Sequence, residues 1–431
     1  MRQVIQSYNT GALELTELPH PALGPGTMLV RTAASLLSVG TERYLLDLAR
    51  KSLLGKALAR PDLVRQVLGT VQTEGPLEAY RQALGRLDTP VPLGYSAAGV
   101  VLQVGDGVTG FAVGDRVACA GSGVACHAEV LRVPPTLAVP IPDGVSFEAA
   151  SFVALGGIAL HAVRLAQATF GERVAVLGLG LLGQLAVQLL EAAGCLAFGL
   201  DLVPGKVEMA RQHGARGGAV IGRDDVVAAV RAFTGGQGAD RVLIFAATNS
   251  NQPIKLAAEL ARERGRIVAP GLVGLDIPRQ TFYEKELDFA VSRAWGPGMY
   301  DQHYEAGQID YPFAHVRWTA QRNLAHFLEL LAQGRVSVEH LITHRFPIDR
   351  AVEAYEMILQ GREPAIGVIL QYPEDPDLSP TVRLRPPQPS APRPAPRPVV
   401  GKDLAPRDPV RIGLIGAGLF ARGTLLPALK G

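Results

Sequence analysis

The chain has 431 residues, 48% of them hydrophobic, with 42 Lys and Arg against 40 Asp and Glu. That length and apolar content exclude a disordered chain and imply two or three packed units, while the near balance of charge excludes the strongly basic face of a nucleic-acid or anionic-membrane binder. Three cysteines, Cys119, Cys126 and Cys195, are too few for a disulfide framework, no run reaches the ~18–20 apolar residues that span a bilayer, and the opening RQVIQSY lacks an apolar signal core. A soluble, cytoplasmic protein with a small-molecule partner is expected.

Residues 1–152 alternate short β-type runs with Gly and Pro turns (TMLVRTAASLL, AAGVVLQVGDGVTGFAVGDRVACAG, HAEVLRVP) and read as a strand-rich, barrel-like unit. Residues 43–88 interrupt it with helical spacing (Leu45, Leu48, Ala49, then Leu63, Val64, Val67, Leu68, Val71) and eight Lys/Arg against five Asp/Glu. This insertion serves packing or a dimer surface, or forms a lid over an active cleft. From 153 to 293 the period changes to strand, turn, helix: the continuous apolar runs RVAVLGLG, LAFGLD, RVLIFAA and GRIVAPG alternate with helical LLGQLAVQLLEAAG and NQPIKLAAELARERG. A parallel sheet covered on both faces requires that pattern, so a doubly wound α/β unit is expected. Residues 373–409 hold twelve of the 32 prolines and read as a semi-rigid linker. The remaining VRIGLIGAGLFARGTLLPALKG, residues 410–431, offers one strand and one helix, too little to close a core, and reads as a fragment or a vestigial tail.

GLGLLG places Gly178, Gly180 and Gly183 directly after a predicted strand and at the start of a predicted helix. The first glycine permits the tight turn, the second lets the backbone approach a pyrophosphate, and the third allows close helix–strand packing. The helix N-terminus near Leu181 and Leu182 then presents free N–H groups to the phosphates. Asp201 stands at the end of the next strand, where a carboxylate accepts both ribose hydroxyl protons and repels a 2′-phosphate. The following Leu202, Val203, Pro204 and Gly205 supply no Arg to hold such a phosphate, so NAD is expected in preference to NADP.

With these residues in place, residues 1 to about 372 resemble the medium-chain dehydrogenase/reductase superfamily: PGTMLVRTAASLLSVGTE, GVVLQVGDGVTGFAVGDRVA, HAEVLRVP, IPDGVSFEAASF, GLGLLGQLAVQLLEAAG and LITHRFPIDRAVEAYEMI match its signatures in order. The resemblance implies a GroES-like β-barrel catalytic domain from residues 1–152 plus 294–372, with a Rossmann domain over 153–293 inserted, and dimers or tetramers. It also implies that Lys206 touches the adenosine ribose and that the Gly271 backbone lines the nicotinamide. The last 22 residues resemble the opening of Gfo/Idh/MocA oxidoreductases, a truncated second Rossmann start, as in bi-domain oxidoreductases of polysaccharide metabolism.

Zinc-dependent relatives hold their catalytic metal where this chain has Val39, Tyr95 with Ser96, and Leu155, none a plausible zinc ligand, and the structural-zinc lobe is missing because CAGSGVACHAEV runs straight into the next strand. No zinc is expected, at Cys119, Cys126 and His127 either. Oxygen charge formed on hydride transfer must then meet preorganised hydrogen-bond donors. The resemblance makes Thr41 the relay hydroxyl, and Tyr95 occupies a former ligand position facing the same cleft; Tyr95 is equally readable as a packed core phenol. Residues 279–318 hold nine of the 25 aromatics, interleaved with arginines and histidines; Arg293, Trp295 and Tyr300 are taken as substrate residues, suited to a sugar ring and its anionic groups, or else as part of an irregular packed loop. The expected activity is a zinc-independent, NAD-linked transfer of hydride to or from a hydroxyl or carbonyl carbon of a sugar-derived substrate. A double-bond reductase of the enoyl or quinone type and a non-catalytic NAD(H)-binding module are the rival readings.

Overall fold

A computed structural model describes residues 1–7, 11–40, 42, 90–306, 309–361 and 363–375. Thr41, the expected insertion over 43–88, nearly all of the expected linker and residues 410–431 lie outside the described residues.

The N-terminal part is built from β1 (Arg2–Gln6), β2 (Leu13–Glu17), β3 (Met28–Ser38), β4 (Val91–Pro92), β5 (Ser96–Val104), β6 (Arg116–Ala120), β7 (Val130–Val133) and β8 (Ala138–Pro140). The long strand β3 organises it. Its eleven residues pair antiparallel with both β5 and β7, and its interior-facing Met28 and Val30 join Ala97, Val101 and Val117 in a buried cluster. Two more strands from the chain's far end complete this sheet: β16 (Gly367–Gln371) lies antiparallel to β3, with β15 (Ile342–Pro347) beside it. The barrel therefore takes strands from both ends of the chain, with the second unit between them.

That second unit carries β9 (Arg173–Leu177), β10 (Leu196–Asp201), β11 (Ala215–Val220), β12 (Ala239–Ile244), β13 (Ala261–Ala269) and β14 (Asp288–Val291), all parallel, in the order β11-β10-β9-β12-β13-β14. Order reversal at β9/β12 makes it a doubly wound sheet with a crevice at the strands' C-terminal ends. Its helices are α2 (Leu181–Ala192), α3 (Pro204–Gln212), α4 (Val226–Phe233), α5 (Gln252–Leu260) and α6 (Arg279–Lys285). Local chemistry starts several of them: Pro204 is the first residue of α3, and the Asp225 carboxylate accepts the Ala228 N–H at 3.0 Å ahead of α4. The joining helix α1 (Val153–Leu165) packs against α2 and against α7 (Ala320–Ala332), while α8 (Ala351–Gln360) covers the barrel.

One element departs from the sequence expectation. The helical reading of NQPIKLAAELARERG holds only to Leu260; Ala261 onwards is strand β13, paired with β12 through Ala239↔Ala261 and Arg241↔Arg266. ARERG is a good local helix former, but pairing with β12 supplies backbone partners, and Asp240 bonds the Arg262 guanidinium at 2.7 Å. Among the described residues no helix is long and apolar enough to cross a membrane.

Candidate active site

The glycine loop sits at the centre of the crevice. Gly178 follows β9 with φ 92°, and a Cβ there would lie 2.7 Å from the Ala246 nitrogen, so no side chain fits the turn. A Cβ on Gly183 would lie 1.9 Å from the Gly178 carbonyl oxygen, so α2 approaches the strand this closely only because that residue is glycine. Gly180, by contrast, has open space where its Cβ would be, and no side chain caps α2. The first-turn N–H groups at Leu181 and Leu182 thus face a gap with the partial positive charge that suits a pyrophosphate.

Asp201 closes one side of this loop. Its carboxylate accepts the Leu179 N–H at 2.8 Å and the Val203 N–H at 2.9 Å, which ties the loop to the end of β10. An ionised carboxylate has about four lone-pair sites, so two remain for ribose hydroxyls. Gln184, unremarked in the sequence, adds a second tie: its side-chain amide donates to the carbonyls of Leu179, at 3.1 Å, and Lys206, at 2.8 Å. Lys206 lies in the first turn of α3, half-buried. Gly271 follows β13, donates its N–H to the Ile244 carbonyl at 2.9 Å, and has no room for a Cβ against the Ala246 carbonyl. These residues fit a dinucleotide.

The former metal-ligand positions are filled otherwise. Ser96 donates to the Ser151 carbonyl at 2.6 Å and accepts the Ala154 N–H at 3.1 Å, stapling β5 to the start of α1. Leu155 is fully buried in the same core cluster as Tyr95, which is 8% exposed, and Val39 packs half-buried beside a second cluster containing Leu37 and Tyr355. Two aliphatics, a hydroxyl already held by two partners and a phenol do not fit a zinc ion. Burial pushes the Cys119 and Cys126 thiols up to about 12.

Behind Tyr95 lies a buried polar network whose members are scattered too widely in sequence for any spacing to reveal. The Glu42 carboxylate accepts the Ser38 N–H at 3.2 Å and the Tyr355 hydroxyl, and stands 3.4 Å from His127 Nε2. The Ser35 hydroxyl lies 2.7 Å from His127 Nδ1 and 2.8 Å from the Tyr372 hydroxyl. Ser35, His127 and Glu42 stand in the order of a nucleophile, base and acid, but they are 0%, 0% and 1% exposed, so no substrate reaches them. Their effect is to tie Ser38 and Glu42 to His127 and to Tyr355 of α8. Gly94 packs on the His127 ring so closely that a Cβ would lie 2.8 Å from it. Burial first, then the Glu42 charge, raises the Tyr355 phenol well above its ordinary range, keeping it a donor.

The aromatic segment divides. The Arg293 guanidinium lies 4.0 Å over the Tyr300 ring, and both residues are exposed. Trp295 is not an open face but 4% exposed, because Gly157 of α1 leaves room for it; its indole N–H is buried without a partner. Around the Trp318 ring, Arg164 and Arg317 stack at 3.3 and 3.7 Å, and burial, then the Arg317 charge, pulls Arg164 down to about 9. These two arginines are engaged with an indole rather than held open for a phosphate.

Comparison with known proteins agrees with this geometry. Residues 182–305 match the zinc-binding dehydrogenase family and residues 67–143 the alcohol dehydrogenase GroES-like domain. The D-xylulose reductase of Scheffersomyces stipitis is 26% identical over 345 residues, covering 67% of this chain and 84% of that protein. The sorbitol dehydrogenase of Bacillus subtilis is 25% identical over 323 residues, covering 67% and 82%. The solved alcohol dehydrogenase TADH from Thermus sp. ATN1 superposes with a TM-score of 0.65 at 21% identity, over 86% of this chain and all of that one. The GroES-like barrel with an inserted parallel sheet is the α/β fold typical of medium-chain alcohol dehydrogenase-like structures, and the two domain matches and the relatives support an oxidoreductase.

Proposed function

We propose that the chain is a zinc-independent, NAD-linked oxidoreductase that moves a hydride to or from a hydroxyl or carbonyl carbon of a sugar-derived substrate. The observation that carries the zinc-independent part is the Ser96 hydroxyl, held by Ser151 and Ala154 where zinc-dependent relatives keep a ligand pair, with Leu155 sealed in the core beside it. Bound NAD supplies the hydride acceptor, or NADH the donor. On this reading the α2 N-terminus holds the pyrophosphate, Asp201 accepts the ribose hydroxyl protons, Lys206 lies by the adenosine ribose and the Gly271 backbone lines the nicotinamide. Tyr95 and Thr41 donate hydrogen bonds to the substrate oxygen as its charge changes.

Leu202, 71% exposed, and Val203, 46% exposed, follow Asp201, and residues 202–205 offer no Arg for a 2′-phosphate, which supports NAD over NADP. The ketose and polyol for which the D-xylulose reductase and sorbitol dehydrogenase relatives are named, and the exposed Arg293–Tyr300 stack, support a sugar-like substrate. We read residues 294–372 as the second part of the catalytic domain and 410–431 as the start of a Gfo/Idh/MocA-like unit. An oligomer is supported by the edge strand β14, where Val291 is 58% exposed with Leu272, Leu275 and Tyr283 also exposed nearby in sequence.

The test is NADH absorbance with a panel of ketoses, polyols, nucleotide sugars and enones. Turnover of a hydroxyl or carbonyl substrate is expected, and Tyr95→Phe and Thr41→Val each lower it by roughly 10²–10³ with NADH affinity unchanged. Reduction of enones alone favours the double-bond reductase, and NADH binding without turnover favours a coenzyme-binding module.

A further inference from the structure

The sheet has a second built hollow at its opposite edge, away from the crevice. It has a volume of about 380 Å³ and is lined by Arg211 from the last turn of α3, Arg216 from β11 and Arg335 from the segment after α7, with Glu191, His213 and Gly214 between them. Its base is fixed: the buried Gln188 side chain donates to the Ser337 carbonyl at 3.0 Å and accepts the Ser337 N–H at 2.8 Å, and the rings of His213 and His340 stack at 3.4 Å. Two parts of the chain, the coenzyme sheet and the segment after α7, thus share its walls.

Charge decides what such a hollow takes. The lining presents three guanidinium groups against one carboxylate, a side-chain balance of two positive charges. The C-terminal ends of α2 and α3 point here, each worth about −0.5 charge, so about one positive charge remains on the lining, and the Glu208 carboxylate 3.9 Å from Arg211 reduces it further. The guanidiniums also keep free donors. Arg335 gives one N–H to the Ala192 carbonyl at 2.8 Å, Arg216 one to Glu191 at 3.2 Å, and Arg211 has Glu208 at 3.9 Å, out of about five N–H groups on each. Three planar forks lining one hollow from three segments suit the several oxygens of a phosphate better than a single carboxylate, and the volume exceeds that of a bare phosphate.

We infer that this hollow is a binding site for a phosphorylated small metabolite, separate from the coenzyme crevice. The phosphate group sits among Arg211, Arg216 and Arg335, and the organic part fills the rest of the space toward His213. With at most about one net charge, inorganic phosphate binds weakly and in a salt-dependent way, and a sugar phosphate binds more tightly through the added contacts.

The experiment titrates inorganic phosphate, glucose 6-phosphate and, as an ionic-strength control, sodium chloride into the free protein and into protein saturated with NADH, reading the melting temperature. Both phosphates raise it, by about 1–3 °C at ten times the dissociation constant, at matched ionic strength and in both forms, with glucose 6-phosphate acting at lower concentration. Arg216→Gln with Arg335→Gln weakens both phosphates by at least about tenfold and leaves NADH affinity unchanged. The exposed Arg211→Gln gives the same direction should the double variant fold poorly. No rise beyond the chloride control overturns the inference. So does a rise that NADH abolishes, or one that the variants retain, because the anion then sits in the crevice or nowhere specific. Loss of NADH binding in the unmodified protein strikes the proposed function alone.

Discussion

Asp201 concentrates the coenzyme question in one side chain. Its two backbone hydrogen bonds hold the loop, and the proposed function assigns its remaining lone pairs to the ribose hydroxyls. A hydrogen bond to a charged group contributes about 1.5–3 kcal/mol, so Asp201→Ala weakens NADH by roughly 10–100-fold and NADPH by much less, measured by fluorescence titration. Equal losses for the two coenzymes would remove the ribose assignment. At this scale the sequence was legible where a residue has a steric reason to be what it is: Gly178, Gly180 and Gly183 fall at the strand-to-helix turn as their spacing demanded. It was silent where partners are distant. Nothing in the spacing of residues 35, 42, 127, 355 and 372 announces their shared network, and Ser96 read as a missing ligand before its two hydrogen bonds made it a staple. Trp295 read as an aromatic face, but Gly157 opposite it makes burial the outcome.

Elements were legible where hydrophobic period and flanking glycines agree, as in α2 between Gly180 and Gly194, and less so where tertiary pairing overrules local preference, as at Ala261 in β13. The inner face of α2 buries Leu185, Leu189 and Leu190 against the sheet and α1. Leu185→Ala therefore destabilises the fold by about 2–5 kcal/mol in denaturant titration, while a loss under 1 kcal/mol would show that α2 packs less closely than described. At the seam between the coenzyme sheet and the segment after α7, burial, then the His213 ring, lowers the His340 imidazole from 6.5 to about 4. The unfolded chain takes up that proton near 6.5 and the folded one only near 4, so stability is full above the first value and falls as pH drops toward the second. The melting temperature accordingly declines over that window, and less steeply in His340→Gln; equal slopes would contradict a His340 ring held neutral by burial.

For the whole molecule, a barrel drawing strands from both ends of the chain positions one cleft face beside the C-terminal edge of the parallel sheet. At the positions where a metal's ligands were expected, the chain carries a hydrogen-bonded serine staple, two aliphatics and a buried phenol. The account therefore rests on charge at the reacting oxygen being met by hydroxyl donors. The most direct measurement is metal content by plasma mass spectrometry on purified protein, together with turnover of the best substrate before and after exhaustive chelation. The account predicts far less than one zinc per chain and unchanged turnover. Stoichiometric zinc, with activity lost on chelation and restored by zinc alone, would contradict it.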